Sequence, residues 1–168
     1  MWEIARDSRV LDVNSPYSYV LWSQDFSETS IVAEVDDHVV GFVTGYRRPA
    51  ARDTLMVWQV AVDEAQRGKQ IAKRMLCELF DYCAPTGVVA INTTISPDNE
   101  ASQRLFAGAA RALGLPRRRR GGAVRSGGGG RWAAQRIEEA DRRRSRRSLR
   151  RVHGLAGCHP HAVHGGRG

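Results

Sequence analysis

At 168 residues the chain is long enough for one domain with a real core and too short for two. Its formal net charge of +8 is split unevenly. Residues 1–114 carry 11 basic and 15 acidic side chains, a balance of −4, whereas residues 115–168 carry 15 Arg against 3 acidic residues, +12. No run reaches membrane-spanning length, Met1 is not followed by a basic-then-apolar leader, and Cys77, Cys83 and Cys158 show no C-x-x-C spacing. A membrane span and a disulfide scaffold are therefore excluded, and free thiols in a cytoplasmic setting are expected.

Trp2, Ile4 and Ala5 interleaved with Glu3, Arg6 and Asp7 read as the last turns of a helix. Asn14 and Ser15 before Pro16 mark a second helix start, with Tyr17, Val20, Leu21 and Trp22 as its apolar face. Ser30 to Val35 reads as a strand, D-D-H as a hairpin turn, and Val39 to Tyr46 as the returning strand. After the loop R-R-P-A-A-R-D, the near-continuous apolar run Thr54 to Asp63 predicts a buried central strand. The helix after it sets Ile71, Met75, Leu76, Leu79, Phe80 and Cys83 on one stripe, ending at Pro85 to Gly87. Val88 to Ile95 is another strand. A last helix is expected with Asp98 as its cap and Ala101, Leu105, Phe106, Ala109 and Leu113 facing inward. The order suits an α/β chain of the α+β kind, a mixed and mostly antiparallel sheet flanked by helices.

From Leu115 on there is no Lys, Phe, Tyr, Met, Thr or Asn, and R-R-R-R, G-G-G-G and R-R-R-S-R-R-S-L-R-R carry no sustained apolar period. A domain is thus expected over residues 1–114, followed by an Arg/Gly-rich tail over 115–168 without regular structure. The tail's composition is also that of GC-rich coding sequence read out of frame.

The central strand turns through Gly68 and opens a helix whose first turn is expected to carry Arg67, Lys69 and Lys73. Backbone N–H groups and the positive end of the helix dipole converge at such a turn, which makes it a natural cradle for a pyrophosphate. Together with N-E-A-S-Q-R-L-F (Asn99 to Phe106), this layout resembles the GCN5-related N-acetyltransferase superfamily over residues 30–113. That superfamily's loop is Arg/Gln-x-x-Gly-x-Gly/Ala. Arg67 and Ala72 match it, and Gln70 stands where the central glycine is usual, so a side chain has to point away from the phosphates. L-D-V-N-S-P-Y-S-Y, V-V-G-F-V-T-G-Y-R-R-P, T-L-M-V-W-Q-V-A-V-D and S-P-D-N-E-A-S narrow the resemblance to the family of L-2,4-diaminobutyrate acetyltransferases of ectoine biosynthesis. That family's first strand has no counterpart after Met1, and nothing after Gly114 resembles its closing strands, so an exposed sheet edge and a marginal, aggregation-prone body are expected.

The resemblance implies direct acetyl transfer from acetyl-CoA, as co-substrate, to the side-chain amine of a small diamino acid, in an osmoprotective pathway. It places acetyl-CoA at the splayed end of the central strand, on backbone N–H groups near Val60 and Val62. The turn Arg67, Gly68, Lys69, Gln70, Ile71 and Ala72 would hold the pyrophosphate, with Asn99 as a further contact. Asp12 and Trp58, one anionic and one aromatic, are the candidates for the amine's surroundings. No residue has the marks of a general base, and the family's C-terminal carboxylate has no counterpart, so activity is expected to suffer from the altered ends. The family is usually homodimeric.

Plainer readings stand beside these. Trp58 can be core, Asp12 a turn or capping residue, Asn99 a helix-start residue, and Tyr17 and Tyr19 packing. Arg117 to Arg151 can meet phosphates, giving the alternative of an acetyltransferase-like scaffold with a nucleic-acid-binding tail, but the near absence of aromatic platforms argues against nucleic acid as partner. A different small amine is a further alternative. Cys158, His159, His161 and His164 match no closed zinc site, so no metal is expected.

Overall fold

The computed structural model describes residues 1–8, 11, 13–125 and 131–138, with the two stretches from Arg117 on described as backbone. Three β-branched apolar runs become strands: β1 (Ile31–Val35), β2 (His38–Arg48) and β3 (Ala51–Val62). The turn between β1 and β2 is Asp36-Asp37 alone, both at positive φ (50° and 62°), and His38 already belongs to β2. Two left-handed residues match the twist of a tight hairpin, and Asp tolerates that conformation better than most side chains. The loop expected after Tyr46 is also shorter than predicted, a Pro49-Ala50 turn from which β3 starts at Ala51.

Helix α3 (Ile71–Cys83) buries Met75, Leu76, Leu79, Phe80 and Cys83, the stripe that its 3.6-residue period predicts, while Ile71 is partly buried. It crosses over to β4 (Ala90–Ile95), which lies parallel to β3. Helix α4 (Glu100–Leu113) buries Phe106, Ala109 and Ala110, with Leu105 and Leu113 packed at the margin and Ala101 exposed. Its N-cap is Asn99, whose Oδ1 accepts from the Ser102 N–H at 2.9 Å. Asp98, the predicted cap, instead accepts from the Ser96 hydroxyl, and that bond lowers its pKa. Helices α3 and α4 cover one face of the sheet around Val43, Leu55, Val57 and Ile91.

Helices α1 (Trp2–Asp7) and α2 (Pro16–Gln24) supply a second cluster, in which Ala5 and Tyr19 meet Val32, Phe42 and Ala61. Ser15 and Pro16 start α2 as expected, but its buried residues are Tyr19 and Trp22. Tyr17 is 78% exposed, and Val20 and Leu21 also face outward. Apolar residues all round this helix leave its sequence without the contrast that would orient it, so the sheet beneath decides which stripe goes in.

The tail departs from expectation in two places. Arg117–Arg125 (β5) and Arg131–Glu138 (β6) are strands, and the sheet order is β1-β2-β3-β4-β6-β5. β6 pairs antiparallel with β4 from Ala90 to Ile95, so the edge expected to lie bare beside β4 is occupied. An unpaired edge offers main-chain donors and acceptors to any extended segment, and pairing of that kind needs no apolar period. The candidate zinc ligands Cys158, His159, His161 and His164, and residues 126–130 and 139–151 of the Arg-rich stretch, lie outside the described residues. No helix among the described residues is long and apolar enough to cross a membrane.

Candidate functional site

The central feature is a bulge in β3. Thr44 of β2 faces Gln59 and Gly45 faces Val57, which leaves Trp58 as the extra residue. Before the bulge Leu55 and Val57 point to the α3 side, and after it Val60 and Val62 do, so the bulge shifts the alternation by one. Trp58 and Gln59 are thereby turned to the α2 side. Trp58 stacks on Trp22 with centroids 6.4 Å apart, and the Gln59 Oε1 accepts from the Tyr19 hydroxyl at 3.2 Å. Trp58 is 52% exposed, so the reading of it as core is not what the structure gives. Gly45, opposite the bulge, has no room for a side chain: a Cβ there would lie 2.8 Å from the Met56 carbonyl oxygen and 3.0 Å from that of Thr29. The Thr29 hydroxyl donates to the Gly45 carbonyl at 2.6 Å, fastening the chain after α2 to this point.

Where the bulge occurs, β3 and β4 part. Their parallel pairing runs from Thr54 with Ala90 to Val57 with Thr93. β3 then continues to Val62 along β2, and β4 to Ile95 along β6. The two strands enclose a wedge, and the β3 main chain from Trp58 to Val62 lines it. Val60 and Val62, predicted from the sequence, stand on that stretch, their side chains packed toward α3.

The chain leaves β3 at Val62 and enters α3 at Ile71 through a short turn whose Asp63 carboxylate accepts from the Ala65 N–H at 2.8 Å. Gly68 (φ 81°) and Gln70 (φ 59°, ψ 19°) are left-handed. Gln70 thus adopts the conformation that glycine favours, at a cost of about 1 kcal/mol for a residue with a Cβ. Its Oε1 accepts from Lys73 Nζ, and Gln66 Oε1 accepts from Lys69 Nζ at 2.6 Å. Neutral amides therefore order both ammonium groups without cancelling their charge. Arg67 meets Glu64 at 3.7 Å in an exposed pair worth little. No side chain caps α3 and no acidic residue lies in its first turn; the first intrahelical bond is Arg74 N–H to the Gln70 carbonyl. The N–H groups of Ile71, Ala72 and Lys73 are left for an external acceptor, with three cations around them. Arg67 and Lys69 precede the helix rather than forming its first turn, which places them beside its open end.

Of the other predicted residues, Asn99 is the α4 cap and Asp12 lies outside the described residues. Burial raises the pKa of Tyr19, whose phenol oxygen also faces Asn14 and Gln59. Burial likewise raises the thiols of Cys77 and Cys83, so neither is a ready nucleophile. Sequence reasoning missed Gln59 and the bulge itself, because a bulge is a property of two paired strands. The Trp58-Gln59 step inside an otherwise apolar run was the one available signal.

A split parallel pair feeding an uncapped, basic helix start is the arrangement that the sequence resemblance implied, and the chain belongs to the acetyltransferase (GNAT) family, whose family model matches residues 1–109. Within that family it is similar to proteins that act on one diamino acid. It is 54% identical over 114 residues to the L-2,4-diaminobutyric acid acetyltransferase of Nocardia farcinica, covering 68% of this chain and 59% of that protein. To the protein of the same name from Streptomyces coelicolor it is 56% identical over 109 residues, 63% of this chain and 64% of the other. The chain thus spans about three-fifths of the length of these relatives. Among solved structures, the diaminobutyrate acetyltransferase EctA of Paenibacillus lautus, in complex with its substrate L-2,4-diaminobutyric acid and coenzyme A, is 39% identical with a TM-score of 0.74. That match covers 82% of this chain and 86% of the other. Such a share exceeds the 109 residues that the family model matches, so the structural likeness extends beyond them.

Proposed function

We propose that the chain is an acetyl-CoA-dependent N-acetyltransferase that acetylates the side-chain amine of L-2,4-diaminobutyrate in ectoine biosynthesis. The observation that carries this reading is the likeness to the Paenibacillus lautus enzyme, whose complex holds that amino acid and coenzyme A. The residues present fit the coenzyme: an anion at the start of α3 would meet three unpaired N–H groups and uncancelled cations and no carboxylate in the first turn. Arg67, Gly68, Lys69, Gln70, Ile71 and Ala72 are assigned to the pyrophosphate, and the main chain at Val60 and Val62 to the acetyl-pantetheine arm in the wedge. Asn99 caps α4, and its contact with the coenzyme is a matter for substitution.

Bound there, acetyl-CoA supplies a thioester carbonyl. The amine nitrogen forms the new C–N bond, the C–S bond breaks, the coenzyme leaves as thiolate and the amine gives up a proton. An N–H of the open β3 edge would hold the carbonyl oxygen as charge grows on it. Trp58, half exposed beside the wedge, offers a ring face to the substrate's ammonium group, and Asp12 is assigned to the same cation. The general base is unassigned. The reading also carries a homodimer, a cytoplasmic location, a part in osmoprotection, and an acetyltransferase unit over residues 1–114 with residues 115–168 as a distinct segment.

The test is coenzyme A release by the 168-residue chain given acetyl-CoA and L-2,4-diaminobutyrate, with lysine, ornithine and no-amine controls. Release selective for diaminobutyrate is expected. Release with lysine or ornithine but not diaminobutyrate would overturn the substrate, and release with no amine would overturn the transferase reading.

A further inference from the structure

The two side chains that the bulge turns to the α2 side are both gripped by that helix, and by residues one helical turn apart. Trp22 stacks on Trp58, and three residues earlier Tyr19 donates to Gln59. Positions three apart lie on one helix face, so the helix sits on the bulge through a two-point contact. The two points differ in kind. Stacking between Trp22 and Trp58 fixes a distance but lets the rings slide, whereas the hydrogen bond fixes a register. Tyr19 is 5% exposed and packs edge-on against Phe42 with centroids 5.8 Å apart, so its hydroxyl reaches Gln59 from an immobilised ring. The side chain of Gln59 is buried as well, at 7% exposure. The same phenol oxygen faces Asn14, in the segment that leads into Ser15 and Pro16 at the start of α2.

We infer that Tyr19 is a positioning residue: through Gln59 it sets the register of α2, and of the segment before it, against the β3 bulge, and so holds the amine-binding side of the site at a fixed height over the wedge. This rests on the proposed function for which side the amine takes. The bulge decides where the open main-chain N–H groups of β3 point, and α2 carries the surface that meets Trp58. A shift between the two would misplace the amine against the thioester while leaving the coenzyme seated on the α3 turn. Misplacement of that kind costs reaction geometry more than affinity for the distant phosphates.

Tyr19→Phe tests this, because it removes the hydroxyl and keeps the ring on Phe42. Amide hydrogen exchange without substrates should quicken by about tenfold at residues 13–15 and 58–60, with α3 and α4 unchanged. In steady-state assays the diaminobutyrate KM should rise by about tenfold or more while the acetyl-CoA KM stays within about twofold. Gln59→Leu should give the same split, and the double variant should be no worse than the more affected single one. Unchanged exchange at both segments would overturn the inference. So would a parallel rise in both KM values, a lower melting temperature with neither KM altered, or additive effects in the double variant. If the wild-type chain acetylates no diaminobutyrate, the proposed function fails by itself, and the exchange experiment still decides whether Tyr19 ties α2 to the bulge.

Discussion

Two helices in this molecule begin just after a strand and end their first turns differently. At α4 the chain supplies everything a helix start asks for: Asn99 caps the Ser102 N–H, Glu100 sits against the positive end of the dipole, and Arg111 sits at the other end. At α3 each of these is missing. Gln70 is left-handed and caps nothing, no acid follows it, and Lys69 and Lys73 add positive charge to a positive pole. A cap is worth about 1 kcal/mol and an adverse charge a few tenths more, so α3 gives up stability that α4 keeps. Its buried stripe of five side chains, Phe80 and Leu76 among them, offsets that loss many times over, at about 2 kcal/mol for each large apolar side chain. The difference teaches where the chain makes room for a ligand: a helix held by its packing can leave its start open.

Reversing charge breaks this contrast hardest. Lys69→Glu with Lys73→Glu should raise the acetyl-CoA KM by about 100-fold, because two attractions to a pyrophosphate become repulsions beside a dipole that no longer stands alone. The melting temperature should hold or rise, since acidic residues suit a helix start; activity and stability moving in opposite directions is the signature to look for in paired kinetic and thermal measurements.

Asn99→Ala acts on the other helix. It should cost about 1 kcal/mol and lower the melting temperature by about 3 °C, with the acetyl-CoA KM within about threefold. A tenfold KM change without thermal loss would instead assign Asn99 to the coenzyme.

The smallest effect sharpens the comparison. Gln70→Gly removes the left-handed strain but adds freedom to the unfolded chain, so the two terms of about 1 kcal/mol nearly cancel in the melting temperature. The turn can then close nearer to the phosphates, and the acetyl-CoA KM should fall about twofold to threefold. An unchanged KM would show that the Gln70 side chain already points clear of the coenzyme.

Sequence by itself determined the elements whose side-chain pattern has one solution. The α3 stripe from Met75 to Cys83 follows from its period, the β1–β2 hairpin from two apolar runs around D-D-H, and the basic strand-to-helix turn from R-G-K after the central apolar run. These depend on neighbours along the chain, and so can be read along it. Tertiary structure alone decided the rest. Which stripe of α2 is buried, and hence that Tyr19 and Trp22 face inward while Tyr17 faces water, depends on the sheet beneath it. That Trp58 stands half exposed beside a wedge depends on a one-residue mismatch between β2 and β3 and on β4 parting from β3 after Thr93. That β6 lies along β4 depends on a free strand edge, which pairs through backbone groups that every residue but proline carries alike. Local periodicity is written in side chains. Register, bulges and edge pairing are settled by main-chain hydrogen bonds between segments far apart in sequence, and those leave little trace in the order of the residues.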